Sequence, residues 1–298
     1  MATGRFKLTW TITAKDTGKL IKEFLRENEI SSASLTDIKF RGGSILVGER
    51  EVNVLYRLIE GDTLDVYFPL EEPAEGMEGE DIPIEILFED EYLLVVNKPP
   101  GMNTIPSREH PSGSLANALI GYYRSIGLAA TTHIVTRLDR DTSGIVLVAK
   151  HRHAHHLFSK LQKTGGVKRT YEALVKGVLL EKEGTIIAPI GRKSSSIIER
   201  EVRDDGQYAA TQYKVLKEVD HDFSHLELKL ETGRTHQIRV HMSHLGHPLL
   251  GDSLYGGTVE KIGRQALHCR QISFSHPFHH KQMSFQASMP QDMAMLLK

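Results

Sequence analysis

An aspartate stands close to two arginines in the segment Thr136-Arg137-Leu138-Asp139-Arg140-Asp141-Thr142-Ser143-Gly144. A guanidinium close in space favours the ionised carboxylate. An ionised carboxylate that is held in place can act as a nucleophile toward a sugar or a base. Asp141, Ser143 and Gly144 are ordinary turn residues, so composition alone reads the segment as a turn. Asp139, just ahead of them, is the residue the turn does not need. The segment lies between His133-Ile134-Val135 and the apolar run Ile145-Val146-Leu147-Val148. A polar loop feeding a buried strand suits a reactive group on a rigid scaffold.

A second segment, Glu231-Thr232-Gly233-Arg234-Thr235-His236-Gln237-Ile238-Arg239-Val240-His241, crowds two arginines, a histidine and a glutamine together after a glycine turn. Thr235 is expected to cap a helix with apolar positions Ile238, Met242 and Leu245, which Gly246 ends and Pro248 cannot resume. Arg234 at its start can meet a phosphate beside free backbone N–H groups. Arg239, about one turn in, can bind a carboxylate bidentately. A lone arginine would read as a solvated helix face; the crowding is unusual for one. A third segment, Arg169-Thr170-Tyr171-Glu172-Ala173, puts a tyrosine at a strand start. Its ring can stack on a base, although a lone tyrosine is more often core.

The histidines invite a metal reading. His151, His153, His155 and His156 fall on a helix whose apolar stripe is Ala154, Leu157, Phe158 and Leu161. Helical geometry puts His151 and His155 on one flank and His153 and His156 on the other, so four ligands do not converge. No His-Glu-x-x-His pattern and no Gly-rich phosphate loop occurs. These histidines are therefore expected on a solvated, partly basic face, and no metal is expected.

The elements that must position these groups are mostly strands. Ile84–Leu87 and Tyr92–Val96 read as paired strands around the turn at Glu89-Asp90, and Ile145–Ala149 as a buried strand. Tyr171–Val175 alternates, as do Leu226, Leu228 and Leu230 against Glu227, Lys229 and Glu231. Ser114–Ser125 reads as an amphipathic helix. No strict strand–helix repeat exists, which favours an α+β fold over a doubly wound parallel sheet. Nearer the N-terminus, Lys19–Glu27 reads as a helix, and Ser32-Ala33-Ser34 can cap a second one containing Leu35 and Ile38. Ile45–Val47, Val52–Leu58 and Thr63–Phe68 read as strands, with turns at Gly48 and Gly61-Asp62.

The 298 residues, 25% charged and 40% apolar, have ordinary globular composition and suggest two domains. A single cysteine, Cys269, excludes a disulfide framework and a Cys-based metal site, and fits a reducing compartment. Met1–Lys15 has no apolar core of signal-peptide length, and no apolar run approaches the ~20 residues of a membrane span. A soluble, cytoplasmic protein is expected. The net charge of −1 hides a partition: residues 1–70 are neutral, 71–91 carry ten acids and no base, and 92–298 carry nine more bases than acids. Such asymmetry points to a polyanionic partner. The acidic stretch reads as a mobile linker, able to compete with phosphate for a basic cleft. The expected division is 1–70, a linker at 71–82, and 83–298.

Taken together, these motifs resemble the RluA/RluD family of pseudouridine synthases. The match runs from about Ile84 to Ala287 and includes Val95-Val96-Asn97-Lys98-Pro99-Pro100-Gly101-Met102 and Leu245-Gly246-His247-Pro248-Leu249-Leu250-Gly251-Asp252 besides the three segments above. Residues 13–69 resemble the alpha-L RNA-binding domain, a fold shared with a ribosomal protein. The resemblance implies a mixed, mainly antiparallel sheet with a central cleft, and an enzyme that isomerises uridine in RNA without metal or organic cofactor. It implies that Asp139 is the nucleophile, Tyr171 packs on the target base, and Arg239 pairs with the aspartate. Arg137, Arg140, Arg234, His236 and Gln237 are expected on the substrate side. Family habit leans to large-subunit ribosomal RNA ahead of transfer RNA, and to a monomer. Three positions depart from the family pattern. Thr136 stands where histidine is usual and Arg169 where lysine is usual. Asn28–Ile38 lacks the Lys or Arg of the usual second alpha-L helix, which predicts a spacer or weak docking module. Two alternatives remain: a non-catalytic RNA-binding or ribosome-assembly protein, and a hydrolase using Asp139 with Asp141. Alternate residues on an extended chain point apart, which weakens the second.

Overall fold

The computed structural model describes residues 5–298; Met1–Gly4 of the N-terminal reading lie outside them. Its first part comprises β1 (Lys7–Thr11), α1 (Ile21–Glu27), α2 (Ser32–Phe40), β2 (Ser44–Val47), β3 (Arg50–Glu51) and β4 (Thr63–Tyr67). The strands form an antiparallel sheet in the order β1-β4-β2-β3. Ile21, Leu25 and Ile38 of the helices meet Ile45, Leu64 and Val66 of the strands in one core. Ser31 caps α2 by accepting the Ser34 N–H at 3.1 Å.

Three readings of this part change. The second helix runs on to Phe40 before Gly42-Gly43 ends it, so it carries Lys39 in its last turn and Arg41 as its C-cap. It is not bare of base; the segment without Lys or Arg stopped short of its last turn. Val52–Leu58 is not a strand. Asn53 accepts the Leu55 N–H on its side chain (2.8 Å) and the Tyr56 N–H on its carbonyl (3.1 Å), which turns the chain. The unexpected strand is β1, whose Lys-Leu-Thr-Trp-Thr alternation pairs along β4.

The remainder runs β5 (Glu85–Glu89), β6 (Leu93–Lys98), α3 (Leu115–Ser125), β7 (His133–Ile134), β8 (Ser143–Ala149), α4 (Arg152–Lys163) and β9 (Lys168–Lys176). It continues with β10 (Glu183–Ile187), β11 (Ile190–Arg192), β12 (Arg200–Val202), β13 (Ala210–Val219), β14 (Phe223–Leu230) and α5 (Gln237–His244). It closes with β15 (Leu267–Ser275), β16 (Gln282–Gln286) and α6 (Gln291–Ala294). One sheet orders ten of these strands β10-β13-β14-β9-β15-β8-β6-β5, with β7 beside β8 and β16 beside β15, while β11 and β12 pair as a separate two-stranded sheet. The pair β8–β15 is parallel and the other pairs are antiparallel. The expected α+β class and mainly antiparallel sheet are both present. β15 arrives late in the chain yet lies between β9 and β8. Gly144 makes that seam possible: its φ is +112°, and a Cβ there would stand 2.3 Å from the Cys269 carbonyl oxygen.

The two parts meet at aromatic rings. Phe6 stacks on His151 with centroids 3.3 Å apart, and Phe68 on His153 at 5.5 Å. Arg152 pairs with Asp37 at 2.6 Å and Lys160 with Glu29 at 2.8 Å around them. His151 and His153 are 6% and 2% exposed, so the solvated face expected for this histidine group is half wrong. The N-terminal part covers the first turn of α4 at both histidines, while His156 stays exposed.

The acidic stretch is not a free tether. Glu71 accepts the Arg152 N–H at 2.8 Å and also bonds His133. Asn117 donates to the Glu78 carbonyl at 2.9 Å, and a Glu80 carboxylate oxygen accepts the Gly113 N–H at 2.8 Å. These bonds set Glu71 at the start of α4 and Glu78–Glu80 at the start of α3, where helix N–H groups favour a carboxylate. No residue of the stretch lines the large cleft described below. No described helix is long and apolar enough to cross a membrane.

Candidate active site

A cleft of about 650 Å³ opens where the loop before β8 faces β9 and α5. Asp139, Tyr171 and Arg239 all line it, together with Arg137, Arg140, Arg169, Arg234, His236 and Gln237.

The aspartate loop is clamped by its own backbone and neighbours. Thr136 is buried and accepts the Leu147 N–H at 2.9 Å, so its hydroxyl holds the loop rather than facing the cleft. Thr104 donates to the Leu138 carbonyl (2.7 Å) and accepts the Leu138 N–H (3.2 Å). The Thr142 N–H bonds the Asp139 carbonyl at 3.1 Å. Beneath lies Lys98, fully buried, whose Nζ donates to the carbonyls of Pro99 (2.9 Å), Met102 (2.8 Å) and Arg140 (2.9 Å). Three donors meet three acceptors. Burial lowers Lys98 to about 7, against the opposing pull of Asp139 and Asp141.

Arg239 meets two carboxylates. Its Nε and Nη2 grip Asp252 at 2.7 and 2.8 Å, and its Nη1 donates to Asp139 Oδ2 at 3.2 Å. The bidentate partner is therefore Asp252, which the sequence motif contained without an assigned role. Burial works against the Arg239 charge, but the bonds and charge of Asp252, then of Asp139, outweigh it and raise its pKa above the ordinary value. The guanidinium also lies 5.0 Å from the centre of the Tyr255 ring.

The start of α5 differs from expectation. Thr235 does not cap it; His236 takes that place in the left-handed conformation, with φ of 57°. The turn is held instead by Gln237. Its side-chain oxygen accepts from Thr232 (2.7 Å) and the Arg234 N–H (2.9 Å), and its amide donates to the Ala210 carbonyl (2.9 Å) and Thr211 (3.0 Å). Both donors and both lone pairs are engaged, so Gln237 positions the loop. Tyr255 accepts the Arg200 N–H at 2.9 Å and bonds His236 Nδ1 at 2.8 Å. That bond engages Nδ1 and leaves the other ring nitrogen, Nε2, on the side of the aspartate. That atom is 3.8 Å from Asp139 Oδ2. Burial lowers His236 below its ordinary value while Asp139 pulls the other way.

Tyr171 is 4% exposed on β9, and Arg169 Nη1 approaches its hydroxyl at 3.4 Å. Burial raises the phenol well above its ordinary pKa. Arg137, Arg140 and Arg234 are exposed along the rim. Arg140 Nε is anchored on the Gly101 carbonyl at 3.3 Å and Arg234 Nε on the Tyr208 carbonyl at 2.9 Å. Asp252, Lys98, Thr104 and Tyr255 carried no role in the sequence reading. The one available signal was Lys98, a lysine closing an apolar strand.

One group of metal-ligand type lies outside the cleft among the described residues: Asp90, His276 and His279. His276 Nδ1 accepts the N–H groups of Phe278 (3.2 Å) and His279 (3.1 Å), so the proton sits on Nε2, 3.2 Å from Asp90. A cation needs that nitrogen bare, so the trio does not fit one.

The fold and this cleft define an RNA-modifying isomerase. The model of the RNA pseudouridylate synthase family matches residues 92–244, the stretch that holds Asp139, Tyr171 and Arg239, and the chain belongs to that family. It is 56% identical over 278 residues to a Bacillus subtilis (strain 168) protein described as the uncharacterized RNA pseudouridine synthase YjbO, covering 93% of this chain and 98% of the other. It is 34% identical to the ribosomal large subunit pseudouridine synthase D of Escherichia coli O6:H1, covering 99% and 94%. The solved structure of human RNA pseudouridylate synthase domain containing 1 superposes with a TM-score of 0.59 at 26% identity, covering 70% of this chain and 85% of that one.

Proposed function

We propose that the chain converts uridine to pseudouridine in large-subunit ribosomal RNA, with Asp139 as the nucleophile. The observation that carries the role of Asp139 is the 3.2 Å bond from Arg239, which holds a partly exposed carboxylate in place inside a basic cleft. The reaction breaks the bond from the sugar to the ring nitrogen, turns the uracil, and rejoins it through a ring carbon. That carbon loses a proton and the freed nitrogen gains one, so no oxidant, reductant or co-reactant is required. The base must leave its stack, at a cost of a few kcal/mol, and the rim arginines offset this through phosphate contacts. Tyr171 gives the base a flat apolar wall. Its raised pKa keeps the phenol neutral near pH 7, which favours packing over proton removal. The ribosomal target is supported by the names of relatives that match nearly the whole chain.

We further propose that residues 1–70 form an alpha-L module that docks RNA with Lys39 and Arg41 exposed on its second helix. A monomer working in the cytoplasm, away from membranes, completes the reading. Mapping pseudouridines in RNA from cells with and without this protein tests it. A site lost in large-subunit RNA supports the whole proposal; a site lost only in transfer RNA overturns the target. An unchanged map overturns the activity.

A further inference from the structure

The loop that carries Asp139 has a donor on each carbonyl from Leu138 to Asp141. Thr104 donates to Leu138, the loop's own Thr142 N–H to Asp139, and Lys98 to Arg140. The fourth donor is Arg264, whose Nη1 reaches the Asp141 carbonyl at 3.0 Å. Three of these donors are side chains from other elements, so the path of the loop is set from outside it.

Arg264 is itself aimed. Its Nε and Nη2 grip Asp292 at 2.7 and 2.9 Å, and its Nη1 also meets the Gln265 carbonyl at 3.1 Å. Its side chain is 10% exposed, and its ion pair among the described residues is with Asp292. A bidentate grip leaves one guanidinium nitrogen to donate in a set direction. This repeats the arrangement of Asp252, Arg239 and Asp139, with a backbone oxygen in place of the second carboxylate.

Asp292 lies on α6, near the end of the chain. Met293 seats that short helix, fully buried among Leu174, Phe223, Leu250, Ile262 and Ala266. Asp292 accepts the Met293 N–H at 2.8 Å, which fixes the carboxylate to that anchor. The two arginine grips share one seam of backbone. The Ala266 N–H bonds the Leu250 carbonyl at 2.8 Å, and a Cβ on Gly251 would stand 1.9 Å from the Arg264 carbonyl oxygen. Next to Gly251 comes Asp252, which aims Arg239. The seam therefore places both arginines, one on the Asp139 carboxylate and the other on the loop two residues further along.

We propose that Arg264 and Asp292 are positioning residues for Asp139, and that α6 is a latch that fixes the aspartate's loop in its reactive place. This rests on the reading that Asp139 is the nucleophile. Without the Asp292 charge the guanidinium is free to turn from Asp141, and the loop gains freedom next to the reacting group. Arg140 keeps its own anchor on the Gly101 carbonyl, so RNA binding changes little.

The test uses the full chain with Asp292→Asn, Arg264→Lys and Lys217→Gln. Asp292 is exposed and asparagine keeps its shape, so no buried space opens. Lys217 donates to the Leu297 carbonyl at 2.8 Å, in the same C-terminal segment but away from Arg264. Turnover is measured on unmodified large-subunit ribosomal RNA made by transcription in vitro, and amide hydrogen exchange on the protein alone. Asp292→Asn is expected to lower kcat about tenfold, with KM and RNA affinity within about threefold of wild type. It should also speed exchange of the Thr142 N–H, which bonds the Asp139 carbonyl. Arg264→Lys should lose at least as much, because an ammonium cannot grip Asp292 with a planar fork and hold Asp141 as well. Lys217→Gln should match wild type in both readouts. Wild-type kcat or wild-type exchange in Asp292→Asn overturns the latch. An equal loss from Lys217→Gln also overturns it, in favour of a general seating of the C-terminal segment. The exchange readout needs no turnover. Faster exchange in Asp292→Asn, when wild type makes no pseudouridine, overturns the activity and leaves the hold on the loop standing.

Discussion

Asp252 grips Arg239 through two hydrogen bonds, at 2.7 and 2.8 Å, and leaves Nη1 to reach Asp139 at 3.2 Å. The bidentate pair is the stronger and the more directional. Asp252 is 2% exposed and therefore fixed, whereas Asp139 borders open cleft. The arginine is aimed from behind, so that the Asp139 carboxylate receives one bond of set direction and keeps its other oxygen free of that arginine.

Asp252→Asn should show this. The side chain keeps its shape but loses the charge that aims Arg239. Turnover should fall about 100-fold, the scale of a misplaced catalytic contact, while RNA affinity changes less than about threefold. A kcat within about threefold of wild type would show that Asp252 does not position the arginine.

Asp139→Asn should abolish pseudouridine formation and leave RNA binding nearly intact. The rim arginines Arg137, Arg140 and Arg234 make no bond to that carboxylate. Mass-spectrometric counting of pseudouridine in treated RNA, beside a binding isotherm, checks both halves. Residual conversion above about one hundredth of wild type would move the nucleophile elsewhere.

Lys98→Met should destabilise the chain by about 3 kcal/mol, because three buried carbonyls lose their donor. The folded lysine titrates at about 7, and an unfolded one at about 10.4. Across that window the unfolded chain binds more protons, so stability rises with pH. The wild-type advantage over the variant should therefore grow from pH 7 to pH 9, measured by denaturant midpoints. A flat difference would mean that the three carbonyls keep the ammonium charged throughout.

The joint between the two parts should loosen in acid. Burial, the largest cause, lowers His151 well below the ordinary histidine value and lowers His153 to about 4. In the other elements of the joint, Lys150, Asp90, His133, Glu29 and His156 also act on them, with smaller effect. Both are neutral when docked. The separated or unfolded form takes up protons below about 6.5, so stability present above that pH falls as pH drops toward 4. Each histidine costs the joint about 1.4 kcal/mol per pH unit in that window. Scattering profiles at pH 7.5 and pH 5 should show a larger radius in acid. Phe6→Ala should open the joint at higher pH; an unchanged radius at both pH values would contradict the coupling.

Much of this was readable from residue order. Leu226, Leu228 and Leu230 announce β14 by alternation, and Ser114 caps α3 as its type suggests. Asp139 stood out because the turn around it did not need it. What stayed hidden depends on partners far along the chain. Asp252 acquires meaning only beside Arg239, and Gln237 loses its apparent freedom only when Ala210 and Thr211 arrive beneath it. His151 and His153 read as surface because their own helix pattern is polar there; the rings that bury them come from Phe6 and Phe68. No local periodicity carries that information.

The position of β15 has a consequence for how a newly made chain becomes competent. Asp139 belongs to the half of the sheet that ends at β8, and Tyr171 to the half that begins at β9. Leu267–Ser275 is the strand that joins them. While the ribosome is still translating, the two halves have nothing between them, and Asp139 has no fixed distance to Tyr171. The cleft is thus assembled last at its own centre, and a chain cut short before residue 267 should be inactive however well each half has folded.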